Sequence, residues 1–175
     1  MFRMKDIQTI LSGGDRRTIG RSDQVAAMVS NDPKLFPRLI AGLWSADPLV
    51  RMRSADATAK VTRKNPGLLR SYKKELLGLL SEATQQELRW HLALMVPRLP
   101  LNPKERALAI ITLTNYLDDR SSIVRTFALQ SLADLAQDDP DTRAEVIEIL
   151  RKSTRTGTPA MKARSRKLLL SLQRD

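Results

Sequence analysis

The chain has no cysteine and a single histidine, His91. Without thiols there are no disulfides, thiolate metal sites or cysteine nucleophiles, and the composition fits a reducing compartment. One imidazole excludes a Cys/His pair and a histidine-rich metal site. A serine triad needs only one histidine, but no G-x-S-x-G elbow occurs. Apolar runs are short: none approaches the roughly 20 residues of a membrane span. The start, "MFRMKDIQTIL", is too short and too charged for a signal peptide. These absences point to a cytoplasmic protein with no membrane association, no cofactor, no metal and no small-molecule substrate. Aromatic residues make up 4% of the chain, and strand-like alternation is almost missing, so a sheet is not expected.

What is present is 175 residues with a formal net charge of +11. At this length folding buries roughly 70% of the chain's surface, so a core forms without covalent staples. The charge is uneven: residues 1–80 carry +8, residues 81–150 carry −4 and residues 151–175 carry +7. A basic balance favours polyanions or acidic partner surfaces. The acidic middle argues against one continuous phosphate-tracking stripe.

Proline placement divides the chain. Asp32-Pro33, Asp47-Pro48, Asn65-Pro66, Asn102-Pro103, Asp139-Pro140 and Thr158-Pro159 each join a capping residue to a proline. The capping side chain accepts an orphan N–H of the first turn, and proline is tolerated next because its missing N–H has no intrahelical partner there. Each pair predicts a helix start, and two further starts fall near Thr84 and Ser121/Ser122. Apolar residues recur at helical spacing between them, as in Leu68, Leu69, Tyr72, Leu76, Leu77 and Leu80. The expected fold is all-α, with about ten helices including an N-terminal pair.

Four segments superimpose: "LVRMRSADATAKV", "ELRWHLALMVPRL", "IVRTFALQSLADL" and "AMKARSRKLLLSL". Each joins an apolar residue to a cation (Val50-Arg51, Leu88-Arg89, Val124-Arg125, Met161-Lys162), and the cations are 38, 36 and 37 residues apart. Small or apolar residues follow in register: Ser54, Ala55, Thr58, Val61; Leu92, Ala93, Val96, Leu99; Ala128, Leu129, Leu132, Leu135; and Ser165, Leu169, Leu172, with Arg166 the misfit. A helical hairpin of this size cannot bury its apolar stripe alone, whereas stacked copies can. With "DPLVRMRSADA", "DDRSSIVRTFALQSLADLA" and Pro37, the sequence resembles HEAT repeats, including the HEAT-like repeats of phycobilin lyases. The resemblance implies one α-α superhelix, a HEAT-repeat solenoid spanning residues 1–175, with a diverged cap over 1–31 and hairpins over about 33–64, 66–99, 103–137 and 140–173. It also implies a ladder between repeats, built from a turn Asp and an Arg early in the second helix. Asp119 and Arg125 match that pair; Arg51, Arg89 and Lys162 occupy the same cation position. The second and fourth repeats have no matching Asp, so the ladder is expected to be incomplete.

Other chemistry is weaker. "LSGGDRRTIGRSDQ" holds three glycines and three arginines before a helix, but fits neither a Walker loop nor a dinucleotide fingerprint and is expected to be a flexible connector. Asp118, Asp119, Asp138, Asp139 and Asp141 fall at helix ends, where capping accounts for them. Tyr72, Lys73, Lys74 and Glu75 look like a solvated helix face. In HEAT arrays the second helix of each hairpin lines the concave side. Counting from each ladder cation, the resemblance then gives a partner-binding face of Arg53, Asp56, Lys60 and Arg63, then Trp90, His91 and Arg98, then Gln130 and Asp134, then Arg164 and Lys167. His91 has a simpler reading as a packed residue. The mixture of Arg, Asp, Trp and Gln suits protein recognition better than uniform phosphate contact. The expected function is therefore a non-catalytic scaffold that binds an acidic or amphipathic segment of another protein. Nucleic-acid binding by the basic ends is the alternative, on the precedent of HEAT-like DNA glycosylases; a subunit of a lyase or chaperone-like complex is the second.

Overall fold

The computed structural model describes residues 6–15 and 17–173; the first five residues of the expected cap and Arg16 lie outside them. The described residues are all-helical, with ten α-helices and no strand. They form two compact units, Met1–Tyr72 and Lys73–Asp175, divided inside the expected 66–99 hairpin.

The N-terminal unit contains α1 (Ile7–Leu11), α2 (Ser22–Asn31), α3 (Phe36–Ala41) and α4 (Pro48–Lys64). The central element is α4, against which α1, α2, α3 and the 3-10 turn Gly42–Trp44 all pack. Its start is as expected, with Pro48 in the first turn and the Asp47 carboxylate accepting the Leu49 N–H at 2.8 Å. Asp32-Pro33 and Asn65-Pro66 start 3-10 turns instead, Pro33–Leu35 and Pro66–Tyr72. Such turns are frequent at helix ends, and α3 begins only at Phe36. Tyr72 is half-buried, and its ring meets Phe36 edge-on, with centroids 5.9 Å apart.

Gly42 is where the chain presses closest to α4. A Cβ there would lie 2.0 Å from Ser54 Oγ and 2.7 Å from Ser54 Cβ. Both residues are buried, so there is no slack to absorb a methyl group. Gly42→Ala should destabilise this unit by about 1–3 kcal/mol through overpacking. Urea unfolding followed by Trp44 fluorescence, in a Trp90→Phe background, measures it. Ser54→Gly in the same chain should recover part of the loss, and an unaltered midpoint for Gly42→Ala would contradict the close approach.

The C-terminal unit contains α5 (Lys73–Glu82), α6 (Gln86–Met95), α7 (Pro103–Asn115), α8 (Ser122–Leu135), α9 (Pro140–Thr156) and α10 (Pro159–Leu172). Here α8 lies between α6 and α10, while α7 and α9 also pack against α8. Asn102 and Glu105 form a reciprocal capping box at the start of α7, satisfying two orphan donors at once. Ser121 and Thr158 cap α8 and α10, each accepting an N–H at 3.4 Å. Asp139 makes no side-chain cap bond; its carboxylate accepts from Thr142 Oγ1 at 2.6 Å, which holds it below the usual carboxylate range. Near Thr84 the helix starts two residues late, with Gln85 at the N-cap. Pro97 cannot donate to an α-helical ladder, and α6 gives way to a 3-10 turn at Val96–Arg98.

The expected core register matches the burial. Val50, Leu88, Val124 and Met161 are buried, and so are Ser54, Ala55, Thr58, Val61, Leu92, Ala93, Val96, Leu99, Ala128, Leu129, Leu132 and Leu135. In α10, Ser165 and Leu172 are buried, Leu169 is half-buried and Arg166 is exposed.

Candidate functional site

In the N-terminal unit most of the expected partner-binding face turns inward. Arg53 is only 2% exposed. Its guanidinium donates to the carbonyls of Leu11 (2.8 Å), Gly13 (2.6 Å), Asp15 (2.9 Å) and Thr18 (3.3 Å). Gly13, Gly14 and Gly20 all adopt positive φ, which lets the loop turn back over α4 without a Cβ penalty. Arg53 is therefore a clamp on that loop and not a contact residue, and the loop is tied where a flexible connector was expected. Carbonyl oxygens converge on a cation here, the reverse of a phosphate-binding ring of N–H groups.

Asp56 and Lys60 are also spoken for. Asp56 accepts from Ser22 Oγ and from Lys60 Nζ, and Lys60 bonds Asp23 as well. Because α2 covers this side of α4, these residues join two helices and do not await a partner. Desolvation works against the Lys60 charge, but the hydrogen bonds to Asp23 and Asp56 outweigh it and raise the pKa above its ordinary 10.5. A folded-state value above the unfolded one means stabilisation that is complete below about pH 10.5 and lost as pH rises through the folded value. Thermal unfolding of the wild type should therefore fall more steeply above that pH than unfolding of Lys60→Met; parallel curves would show that the pairing adds no stability. Arg63 is exposed, the one member of the four that keeps its expected place.

In the C-terminal unit four of the expected residues, Arg98, Gln130, Asp134 and Arg164, come together. The side chain of Gln130 on α8 donates to Asp134 Oδ1 at 2.8 Å and accepts from Arg164 Nη1 of α10 at 2.6 Å. Arg164 also lies over the Phe127 ring, 5.7 Å from its centroid. Desolvation raises the Asp134 carboxyl above its usual range, opposed by the Gln130 bond and the charges of Arg164 and Arg98. Arg98 is thus within electrostatic reach of the same carboxylate. Trp90, Arg98, Gln130 and Arg164 are half-buried, whereas Asp134 and Lys167 are exposed. His91 is the exception. It is 7% exposed, with Nδ1 on the Glu87 carbonyl at 2.7 Å. The Trp90 indole N–H reaches its Nε2 at 3.2 Å. Indole only donates, so Nε2 accepts and Nδ1 carries the proton. His91 is packed, and the expected contact role does not hold for it.

The ladder positions diverge from one another. Arg51 bonds its own turn, through the carbonyls of Ser45 at 2.7 Å and Ala46 at 3.2 Å. Arg89 bonds the Ala83 carbonyl at 2.7 Å, pairs with Asp119 and lies 5.1 Å from the Tyr116 ring centroid. Asp119 thus answers Arg89 of the preceding hairpin. Among the described residues no ion pair joins a carboxylate to Arg125, and its buried Nε makes no hydrogen bond. Lys162 is half-buried. Tyr116, which the sequence did not single out, donates to the Leu80 carbonyl. Desolvation pushes its hydroxyl up to about 12, against the pull of Arg89 and with a smaller push from Asp119. Lys73, expected on a solvated face, pairs with Glu105 at 2.8 Å.

Phe127 was legible in principle, since it lies three residues before Gln130 and so on the same helical face. Ser22 and Asp23 carried no signal, because nothing local specifies which helix covers α4. Among the described residues no cluster of His, Asp or Glu side chains could hold a metal ion, and no helix is long and apolar enough to cross a membrane. Comparison with protein-family models, with curated proteins and with solved structures gave no match.

Proposed function

We propose that this protein is a non-catalytic, HEAT-type helical-repeat scaffold, and that it binds an acidic or amphipathic segment of another protein along the face carried by α6, α8 and α10. One observation carries this reading. Three helices that are separated in sequence and packed in order bring Arg98, Gln130, Asp134 and Arg164 into one charge-linked group, with Lys167 beside it on α10 and Trp90 on α6. The group offers donors, an acceptor and aromatic edges in fixed positions. Arginine and tryptophan in such settings dominate protein interfaces. Three cations against one carboxylate favour an acidic segment. The mixture of signs is a poor match to a phosphate backbone, which rewards uniform positive charge.

Affinity capture from native extract, with and without nuclease, tests the reading. A protein partner should survive nuclease, bind more weakly at high salt and be lost with the double replacement Arg164→Glu and Lys167→Glu. Capture of nucleic acid alone, or retention of the same partner by the doubly reversed protein, would refute it.

A further inference from the structure

The ladder cation Arg125 stands where the next hairpin supplies no acid. One hairpin earlier Arg89 is answered by Asp119. Advancing Asp119 by 37 residues, the spacing from Arg125 to Lys162, leads to Thr156. Its hydroxyl is turned back to its own helix, onto the Lys152 carbonyl at 3.1 Å. Gly157 follows. In place of a carboxylate there is a cavity of about 230 Å3 between α8, α9 and α10. Arg125, Lys152 and Ser153 line it, and Leu117, Leu129, Ile149 and Met161 give it apolar walls.

Two polar atoms beside it make no hydrogen bond among the described residues. Arg125 Nε and Ser153 Oγ are both buried with no hydrogen bond, and Ser153 is 6% exposed. Buried donors of this kind are costly to leave unmet. Gly157 packs closely against the same wall, where a Cβ would lie 2.6 Å from the Ser153 carbonyl oxygen. It would also lie 3.0 Å from Ser153 Oγ and 2.9 Å from Met161 Cβ.

We propose that this cavity is a binding site for a monocarboxylate with a short apolar tail, which stands in for the missing ladder aspartate. The Arg125 fork matches a carboxylate in two parallel bonds. Lys152 adds charge, and the leucine, isoleucine and methionine walls take the tail. Asp118 lines the same cavity. Its negative charge selects against a phosphate dianion and weakens, without abolishing, the hold on a single charge. The same chemistry could arrive as a free small acid or as the C-terminal carboxylate of a peptide ending in leucine. The site shares no residue with the α6/α8/α10 face and does not depend on the scaffold role.

The test is titration of the 15N-labelled full chain with isovalerate, isovaleramide, inorganic phosphate, and an acetyl-Ala-Leu peptide with a free or amidated C-terminus. Isovalerate should give saturable shifts at the Arg125 side-chain N–H and at the Ser153 and Gly157 amides. Isovaleramide and phosphate should bind at least tenfold more weakly. Arg125→Gln should abolish binding without lowering the thermal midpoint, because it removes a cation whose buried Nε makes no hydrogen bond among the described residues. Arg125→Lys, which keeps the charge and loses the fork, should bind at least tenfold more weakly. Asp118→Asn should tighten binding several-fold. Preference for the free-ended peptide over isovalerate would assign the site to protein termini, and the reverse preference to a small acid; the amidated peptide should fail in either case. Equal binding of acid and amide, equal or tighter binding of phosphate, or unchanged affinity in either Arg125 variant would overturn the assignment.

Discussion

Replacing Arg89 with methionine should destabilise the C-terminal unit by about 3–5 kcal/mol, the usual loss when one partner of a largely buried ion pair is removed. The Asp119 side chain is only 8% exposed. Without Arg89 its charge would sit largely out of water, and the Ala83 carbonyl and the Tyr116 ring would lose their cation as well. Two hydrogen bonds within the Asp119 turn would remain, since Asp119 N donates to the Tyr116 carbonyl and Ser121 N to Asp119 Oδ1. The turn should therefore stay formed while its attachment to α6 is lost. Adding Asp119→Asn should restore much of the stability, because the stranded charge goes with it. A double-mutant cycle isolates that coupling. Urea unfolding read from Trp90 in a Trp44→Phe background is the measurement. A loss below about 1 kcal/mol would place this pair with exposed surface ion pairs. Arg125→Gln, at the matching position without an aspartate, is the internal control and should be close to neutral.

Arg53→Met should have the second-largest effect, about 2–4 kcal/mol, confined to the N-terminal unit. Four carbonyl oxygens share one guanidinium. Gly13, Asp15 and Thr18 are exposed residues whose carbonyls can turn to water, so the loss is well short of four charge-assisted bonds. The bond to Leu11 is buried, and its carbonyl has no such recourse. The released segment is the loop between α1 and α2. Hydrogen exchange and limited proteolysis across residues 12–20 should therefore rise more than anywhere else in the unit. Arg53→Lys keeps the charge but cannot reach four acceptors set around a planar fork, so it should fall between the two. Gly20→Ala should act on the same contact from the other side. Its Cβ would lie 2.5 Å from the Arg53 guanidinium carbon, at a φ of +53° that disfavours any side chain. Unchanged exchange in Arg53→Met would show that the loop is held by something else.

The sites differed in how much of them could be read from residues alone. Gln130, Asp134 and Arg164 were placed on one face by counting from a cation, and that face is where their side chains meet. The same count put Arg53, Asp56 and Lys60 on an open face, and there it failed. Both counts used the same helical period. In the C-terminal unit the neighbouring helices meet at these positions and leave an edge to solvent. In the N-terminal unit α2 and its preceding loop lie over them. His91 failed for a related reason: its position on α6 was right, but its ring is folded against its own helix and Trp90.

The sequence by itself determined the helices, most of their starts and the positions they bury. Those properties are local: a capping side chain acts within three residues, and an apolar stripe repeats with the turn of one helix. Only the tertiary structure decided which polar residues remained available. A side chain that points away from its own helix's core is a contact residue, a clamp or half of an ion pair according to what lies opposite. Asp119 lies opposite Arg89, loop carbonyls lie opposite Arg53, and a cavity lies opposite Arg125. Nothing within a few residues of those arginines distinguishes them, because each answer comes from a segment about 30 to 40 residues away that only packing brings near.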